Sequence, residues 1–433
     1  METSRWLTLD NSWLASILAF FISLAILASF TVVWGERTKF RAGADEDQYL
    51  AIGRSLAAGT GYKNLVGPWP NLPDYSRMPG WPALISVGLR IAPGVKPESV
   101  SKITNAFCLS LAAAFFCALS RRLGVNSVLS VLAGLVVSLS PSLVYFSVDG
   151  ISEVSFVMVL AMGLTAVFAG GRWLYPGSLI LGTASLIRAN FVLVPIVFLG
   201  LALVFRASRE TLVKRRNLVR ASICCFLALV PALLWAVRND LITGRFPMLS
   251  SIEGETFYGS NNDVVAFNLE HWGYWVMPDE IPGERPKLAL AQQLGTDLAL
   301  NDYYHRKGVD WVKTNLRSLP RLELGKFVRA FVPIPWVPLT VSYVAFFCRF
   351  LLYAFWFALL PFWWPSMNRT YLLFCLAMAV VHVITTAVFY GLYRFTHCYV
   401  EILLVPPIMY GAQQWWTARH SITSVHSASL EAS

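Results

Sequence analysis

The sequence predicts an all-α polytopic membrane protein of about ten transmembrane helices, with interfacial helices and a mixed outer loop domain. Of its 433 residues, 56% are hydrophobic and only 14% are charged, whereas soluble domains carry about 25% charged residues. The mean hydropathy is +0.55. Apolar runs recur along the chain, and a helical run of about 20 apolar residues is long enough to cross a bilayer.

Ten apolar runs are candidate spans, and whether the short fifth and sixth runs each cross fully is left open. The runs lie at 13–34, 99–119, 127–146, 151–169, 173–187, 190–205, 221–237, 339–362, 370–390 and 398–416.

Basic residues are concentrated in alternate short loops. If the N-terminus is cytoplasmic, the inner loops carry Arg121, Arg122, Arg172, Arg206, Arg209, Lys214, Arg215, Arg216, Arg220, Arg369 and Arg419. The outer short loops then carry only Arg188 and Arg394. Because cytoplasmic loops are enriched in Lys and Arg, we expect both termini to be cytoplasmic. Two long segments, 35–98 and 238–338, then lie outside.

This topology divides the chain into parts. They are an N-terminal transmembrane module at 1–237 with a catalytic first outer loop at 35–98, an outer loop domain at 238–338, C-terminal transmembrane helices at 339–416, and a disordered cytoplasmic tail at 417–433. Within the outer segments, residues 81–89 predict an interfacial amphipathic helix, and residues 288–316 predict a helix with one polar face.

Three adjacent acids, Asp45, Glu46 and Asp47, follow the first predicted span and begin a short amphipathic helical pattern. A helix N-terminus favours negative charge, so at least one carboxylate should stay ionised there. An ionised carboxylate fixed at the rim of a membrane protein indicates function. The alternative is a solvated acidic cap that only begins the helix.

Few other charged residues lie at the outer edges of the predicted spans. Asp149 and Glu153 are four residues apart and would share a helix face; we interpret Asp149 as a cap, whereas the deeper Glu153 needs a partner or a substrate. Arg77, Arg188 and Arg394 could converge with these acids on one outer cavity. Arginine suits phosphate because its planar fork binds two oxygens, although each arginine alone could simply reach lipid headgroups.

Several function classes lack support. The chain has no P-loop, no GxSxG and no HExxH, so nothing indicates nucleotide-driven transport, serine hydrolysis or a metal site built from histidines. The net charge of +10 does not indicate nucleic-acid binding, because the basic residues lie beside apolar runs. A divalent metal is left open, since Asp45 and Glu46 alone are too few ligands for a dedicated site.

Taken together, these stretches resemble the polytopic glycosyltransferases of the GT-C class, and most closely the branch of protein O-mannosyltransferases and lipid A aminoarabinose transferases. The resemblance runs from the first span to the last. It is carried by Asp45-Glu46-Asp47-Gln48-Tyr49, Arg77-Met78-Pro79-Gly80-Trp81, Ser152-Glu153, the small-residue helix ending at Arg188, Arg238-Asn239, Gly259-Ser260-Asn261-Asn262 and Tyr390-Gly391-Leu392-Tyr393-Arg394.

The resemblance implies an inverting enzyme that moves a sugar from a polyprenyl-phosphate donor to a hydroxyl of a lipid, glycan or protein acceptor, on the outer face of a bacterial inner or plasma membrane. A phosphate leaving group needs no general acid, so one carboxylate base and cations for the phosphate suffice. One base and an in-line attack give inversion. The expected roles are Asp45 and Glu46 as catalytic, Glu153 and Asp47 as acceptor-binding or supporting acids, and Arg77, Arg188 and Arg394 as phosphate ligands, with Arg394 first among them.

Three alternatives remain open at this point, and one is a protein of the same class that lacks activity and serves as a scaffold. An O-antigen ligase or polymerase would use prenyl pyrophosphate, with its key Arg and His in the late large loop. A transporter or flippase would place charges near the bilayer midplane. Arg349, inside the eighth predicted span, fits transport, unless it forms an interior pair with an acid from another span.

Overall fold

The computed structural model describes residues 12–34, 45–65, 69–207, 215–332 and 340–431. The start of the predicted outer segment (35–44) and two residues of the predicted inner basic cluster, Arg209 and Lys214, lie outside the described residues. Within the described ranges the chain is helical and forms no strand, apart from one isolated antiparallel bridge between Lys63 and Pro73.

Twenty α-helices follow one another in the described ranges. They are α1 (Ser12–Trp34), α2 (Asp45–Ala57), α3 (Gly80–Ile91), α4 (Pro97–Arg122), α5 (Ser127–Ser138), α6 (Pro141–Asp149), α7 (Glu153–Ala169), α8 (Leu174–Gly182), α9 (Leu193–Ala207), α10 (Arg215–Thr243), α11 (Glu253–Gly259), α12 (Asp263–Phe267), α13 (Lys287–Leu294), α14 (Asp297–Thr314), α15 (Leu319–Phe331), α16 (Thr340–Ala358), α17 (Leu360–Trp363), α18 (Arg369–Val388), α19 (Tyr393–Thr396) and α20 (Ile402–Glu431). Short 3₁₀ turns cover Gly171–Trp173, Thr183–Leu186, Ala189–Val192 and Pro278–Glu280, and a π-helix covers His397–Glu401.

Among the residues that the structure describes, four helices are long and apolar enough to cross a membrane: α1, α4, α10 and α18. A fifth span results if α5 and α6, which meet at a bend of 49°, count as one. Shorter apolar helices occupy 153–169, 189–205 and 343–358. The prediction of an all-helical polytopic membrane protein is confirmed, whereas the count of ten spans is not.

Helix α4 is the central helix of the transmembrane part, and α1, α5 and α7 pack around it. Gly134 of α5 lies so close to the carbonyl of Ala113 in α4 that any side-chain carbon there would overlap it. In lipid, where apolar burial drives helices together only weakly, small residues at such crossings allow the close contact that stabilises the bundle.

The two interfacial helices α2 and α3 pack against each other, with Gly53 directly against Ile85. Helix α3 covers the predicted interfacial helix at 81–89. Its Trp81 is fully buried and donates a hydrogen bond of 3.0 Å to the carbonyl of Gly150. Because Gly150 lies between α6 and α7, this bond fixes the α2–α3 pair against the start of α7.

The segment at 238–338, which keeps the name outer segment from its predicted location, has a hydrophobic cluster of its own, built from helices α11 to α15 and including Leu290 and Tyr304. The predicted continuous helix at 288–316 is wrong in one respect, because Gly295 divides it into α13 and α14. Gly295 has a φ of +77°, a left-handed conformation that glycine adopts without strain and that commonly ends helices. At the other end of the chain, α20 continues to Glu431, where the sequence predicts a disordered tail.

Candidate active site

Asp45 is the first residue of α2 and is held there by arginines. Its Oδ1 lies 2.8 Å from Arg77 Nη2, and its Oδ2 lies 3.8 Å from Arg394 Nη2. The Arg77 guanidinium holds the pKa of Asp45 below its usual value, against the opposing effect of burial. The side chain is still 39% exposed, so the site presents an ionised carboxylate that an incoming molecule can reach.

Glu153, the first residue of α7, is the second carboxylate of the site and is only 2% exposed. It forms ion pairs with Arg188 and, at 3.1 Å, with Arg394 Nε. Arg394 therefore bridges the two carboxylates. The structure brings together Asp45, Glu153 and all three arginines that the sequence singled out, although they come from five separate stretches of chain.

The loop after α2 places Arg77. Asp74 accepts hydrogen bonds from the backbone N–H groups of Ser76 (3.0 Å) and Arg77 (3.1 Å), which forms a turn closed by a side chain. The hydroxyl of Tyr62 donates to the carbonyl of Arg77 at 2.9 Å. Arg77 Nε donates to Gln48 Oε1 at 2.7 Å. With its backbone and its Nε held in this way, Arg77 directs its terminal nitrogen at Asp45.

Arg188 and Arg394 lie close to one aromatic ring. Their guanidinium carbons are 4.9 Å and 5.0 Å from the ring centroid of Phe395. The negative face of an aromatic ring attracts cations, and Glu153 supplies the counter-charge that lets two guanidiniums approach each other. Arg188 reaches this position because it is an extended residue (φ −132°, ψ +104°) between two 3₁₀ turns.

The outer segment fixes the turn that carries Arg394. The backbone N–H of Gly391 donates to the carbonyl of Gly273 at 3.0 Å. On the other side of Arg394, the hydroxyl of Thr396 donates to the carbonyl of Ala330, in α15, at 2.7 Å. The loop domain thus contacts the site directly and holds its bridging arginine from both sides.

Glu46 has a different environment from its neighbour Asp45. It is buried and lies beside Asp149. Burial raises the pKa of Glu46 to about 7, and the nearby carboxylates of Asp149 and Asp45 add to this effect. Asp47 is half-buried on the same first turn of α2. The first two acids therefore differ in environment: Asp45 is partly exposed and paired with Arg77, whereas Glu46 is buried beside Asp149.

The prediction that Asp149 and Glu153 share a helix face is wrong. Asp149 is the last residue of α6, and Gly150 (φ +78°) ends that helix in a left-handed conformation. Glu153 then begins a new helix, α7, after Ser152. Glycine can adopt this conformation without strain, so the chain turns between the two acids and Asp149 meets Glu46.

Several residues of the site had no role in the sequence analysis. Gln48 positions Arg77, and the ring of Tyr49 lies 5.5 Å from the Arg77 guanidinium carbon. Phe395 contacts two arginines, and Asp74 shapes the turn before Arg77. Gln48 and Tyr49 belong to the acidic motif itself, so the helical spacing of that motif could have predicted that they lie near Arg77. Nothing local in the sequence distinguishes Asp74 or Phe395.

The site contains three guanidiniums and two paired carboxylates, so it has an excess of positive charge. Such a site can accept an anion while keeping one carboxylate available for proton transfer. Across the ranges that the structure describes, no group of three or more His, Cys, Asp or Glu side chains is arranged to hold a metal ion.

The chain has distant matches among solved structures. No protein-family model and no curated protein matches the chain. Among solved structures, ArnT from Cupriavidus metallidurans bound to undecaprenyl phosphate is similar over 93% of this chain and 78% of its own, with a TM-score of 0.43 and 13% identity. The apo structure of that ArnT is similar over 90% and 77%, with a TM-score of 0.40 and 12% identity.

Proposed function

We propose that the chain is an inverting glycosyltransferase that takes a sugar from a polyprenyl-phosphate donor and transfers it to a hydroxyl acceptor. The observation that carries the proposal is the bridge made by Arg394, which joins an exposed carboxylate, Asp45, to a buried one, Glu153. This bridge supports the proposal because it joins a partly exposed carboxylate to a cluster of guanidiniums of the kind that binds phosphate. The order of motifs along the sequence points to the same class of enzyme.

The donor phosphate would compete with the carboxylates for the arginines. Arg77 and Arg394 can turn from Asp45 to phosphate oxygens, because the Asp45–Arg394 contact is long, at 3.8 Å, and Asp45 is partly exposed. Charge-assisted bonds from arginine to phosphate are strong and often bidentate. Loss of the Arg77 contact would raise the pKa of Asp45 from its depressed value and so make Asp45 a better base.

The chemical step then needs only groups that the site contains. Asp45 takes the proton of the acceptor hydroxyl while the hydroxyl oxygen attacks the anomeric carbon. The bond between that carbon and the phosphate oxygen breaks, and the arginines hold the departing phosphate. A single attack from the face opposite the departing phosphate inverts the anomeric centre, with Asp45 acting as a base and not as a nucleophile.

Glu153 serves to position the arginines in this account. It is almost completely buried and its oxygen Oε1 faces both Arg188 and Arg394, so it is poorly placed to contact an acceptor. Glu46 and Asp47 support the first turn of α2, and Glu46 keeps a proton near neutral pH that it can share with Asp149. The acceptor would enter beside the exposed edge of Asp45.

The orientation follows from the charge bias of the loops. With both termini cytoplasmic, the site and the outer segment that contacts Arg394 face the outer side of a bacterial inner or plasma membrane. The acceptor is a hydroxyl of a lipid, glycan or protein. Arg349, the residue that fitted the transport alternative, forms a 2.6 Å ion pair with Glu401 from another helix. It therefore no longer supports transport.

Transfer of labelled sugar tests the proposal. Membranes containing the wild-type chain are supplied with a panel of polyprenyl-phosphate sugars, and labelled products are separated into lipid, glycan and protein. We expect transfer in the wild type and a loss of about 10³-fold in Asp45→Asn, in the range typical of a general base. Asp47→Asn, on the same helical turn, is the matched control and should stay within a few-fold of wild type. An Asp45→Asn protein that transfers at the wild-type rate would contradict the assignment of the base.

A further inference from the structure

A second polar cluster lies away from Asp45, among the transmembrane helices. His397 Nδ1 is 2.8 Å from Glu401 Oε2, and His397 Nε2 is 2.9 Å from the hydroxyl oxygen of Ser140. A hydroxyl, an imidazole and a carboxylate linked in this order form the arrangement by which a base activates a nucleophile and a third group orients the base. The glycosyl-transfer mechanism uses none of these three residues.

The carboxylate of the cluster is held firmly. Glu401 Oε1 accepts hydrogen bonds from Arg349 Nε at 2.6 Å and from the Tyr353 hydroxyl at 2.7 Å. The other oxygen, Oε2, therefore serves His397. An ionised carboxylate only accepts hydrogen bonds, so His397 Nδ1 must donate to it. In the neutral imidazole, Nε2 is then the acceptor, and it faces Ser140, as a base for the serine hydroxyl requires.

Ser140 lies at the break in the bent helix pair. It caps the N-terminus of α6, with its hydroxyl oxygen accepting from the backbone N–H of Leu143 at 3.4 Å, and the two helices meet at 49°. Within a bilayer, a broken helix is tolerated where the freed backbone is buried in protein or lines a cavity. Here the break exposes Ser140 to a cavity of about 220 Å³.

The cavity is apolar on most sides. Val137, Leu352 and Val405 are among its lining residues, while Ser140, His397 and Arg349 supply polar atoms. An apolar cavity of about 150 Å³ holds a benzene molecule, so this one has room for an ester group and a short stretch of acyl chain. The first N–H groups of α6 and the Arg349 guanidinium provide positive potential at the same cavity.

We propose that Ser140 is the nucleophile of a second activity, the cleavage of carboxylic esters of acyl chains that enter this cavity from the membrane. His397 is its general base, and Glu401 is the positioning residue that orients His397. The apolar lining selects acyl esters, because a sugar or a charged group would lose its hydration there.

The reaction balances with water as the second substrate. The Ser140 oxygen attacks the ester carbonyl carbon while His397 Nε2 takes the hydroxyl proton. The ester C–O bond breaks, and the alcohol leaves with the proton from His397, so that an acyl-serine remains. Water then attacks the acyl carbon and gives a proton to His397. The bond between the acyl carbon and the Ser140 oxygen breaks, and the carboxylic acid leaves. His397 returns its proton to the serine oxygen, which restores the hydroxyl.

Covalent labelling tests the proposal directly. The purified full chain in detergent is treated with a fluorophosphonate probe, and the modified residue is identified by peptide mass spectrometry. We expect labelling at Ser140 and hydrolysis of p-nitrophenyl butyrate. Both should disappear in Ser140→Asn, which keeps a capping side chain for α6 and so preserves the fold. Ser142→Ala, which alters another serine of the same cavity, should label like the wild type.

Replacement of the base gives the decisive comparison. In His397→Gln, labelling of Ser140 should slow by about 100-fold or more, because the hydroxyl loses its proton acceptor. Sugar transfer by Ser140→Asn should equal that of the wild type, which separates this proposal from the glycosyltransferase assignment. Folded wild-type protein that takes up no label at Ser140, or labelling that is equally fast in His397→Gln, would overturn the proposal.

Discussion

Two arginine–carboxylate clusters in this molecule differ in how completely their charges are paired. At the outer cluster, which surrounds Asp45, Arg394 contacts both Asp45 and Glu153. The contact between Arg394 and Asp45 is 3.8 Å long, and the Asp45 side chain is 39% exposed. At the inner cluster, Arg349 Nε lies 2.6 Å from Glu401 Oε1, with side chains 5% and 0% exposed, and Glu401 has further partners in Tyr353 and His397. Incomplete pairing leaves cations available for an anionic ligand, whereas complete pairing in a low-dielectric interior resists exchange.

The inner pair should therefore matter most for stability. Arg349→Ala should cost about 3–5 kcal/mol, because it leaves the buried Glu401 carboxylate without its counter-charge. Thermal unfolding in detergent would measure the loss, and sugar transfer per folded molecule should stay at the wild-type level. A double variant, Arg349→Leu with Glu401→Leu, should be less destabilised than Arg349→Ala, because no lone charge remains. Equal or additive losses would mean that the pair does not act as a unit.

The bridging arginine should show the opposite pattern, with a large effect on activity and a smaller one on folding. Arg394→Lys keeps the positive charge but loses the fork that contacts both carboxylates, so transfer should fall by about 100-fold, or about 2.7 kcal/mol. Initial rates at saturating acceptor would measure it. A lysine variant with wild-type rates would show that charge alone suffices at this position.

A smaller effect is expected at the exposed end of the outer cluster. Arg77→Ala should lower transfer by about 10-fold and change stability by less than about 1 kcal/mol, because its partner Asp45 is partly solvated. The matched control is Arg90→Ala, which removes an exposed arginine that binds the carbonyls of Leu56 and Ala57 and should leave transfer unchanged. If both variants lose activity equally, the effect comes from packing of α2 and α3, not from the site.

A separate effect, on stability alone, concerns pH. Folded Glu46 has a pKa of about 7 against an ordinary value of 4.5, so between these values the folded chain binds more protons than the unfolded chain. Stability should therefore fall as pH rises from about 5 to 7, by on the order of 1–3 kcal/mol. Glu46→Gln should remove this dependence in thermal melts, while Glu98→Gln, at an exposed ion pair with Arg54, should keep it. If the stability of Glu46→Gln still falls with pH as steeply as that of the wild type, another group is responsible for the pH dependence.

The outer cluster was largely predictable from sequence, and the inner one was not. Asp45, Arg77, Arg188 and Arg394 stand out because charged residues are rare beside apolar runs, so position alone singled them out. Their pairing was not predictable, since ion pairs depend on which helices meet in space. Gly150 is an example of what the sequence could not predict. Its left-handed turn separates Asp149 from Glu153, so that Asp149 lies beside Glu46.

The inner cluster, which is centred on Glu401, could not be predicted from the sequence for a related reason. Ser140, His397 and Glu401 come from two distant stretches of chain, and no GxSxG motif marks the serine. Without that motif the sequence gives serine hydrolysis no support, and the proposed nucleophile, base and orienting acid meet only in the folded chain. Arg349 was noticed from its position in an apolar run, yet its partner Glu401 could be identified only in the folded structure.

Binding and transfer measured on the same variant test the central claim most directly. We would measure the affinity of polyprenyl phosphate for the wild type, for Asp45→Asn and for the control Asp47→Asn, beside their rates of sugar transfer. Loss of the Asp45 carboxylate frees Arg77 and Arg394 for phosphate, so Asp45→Asn should bind the lipid at least as tightly as the wild type while transfer falls about 10³-fold. Weaker binding in Asp45→Asn, or transfer that survives the change, would contradict a site in which Asp45 is the base and the arginines hold the phosphate.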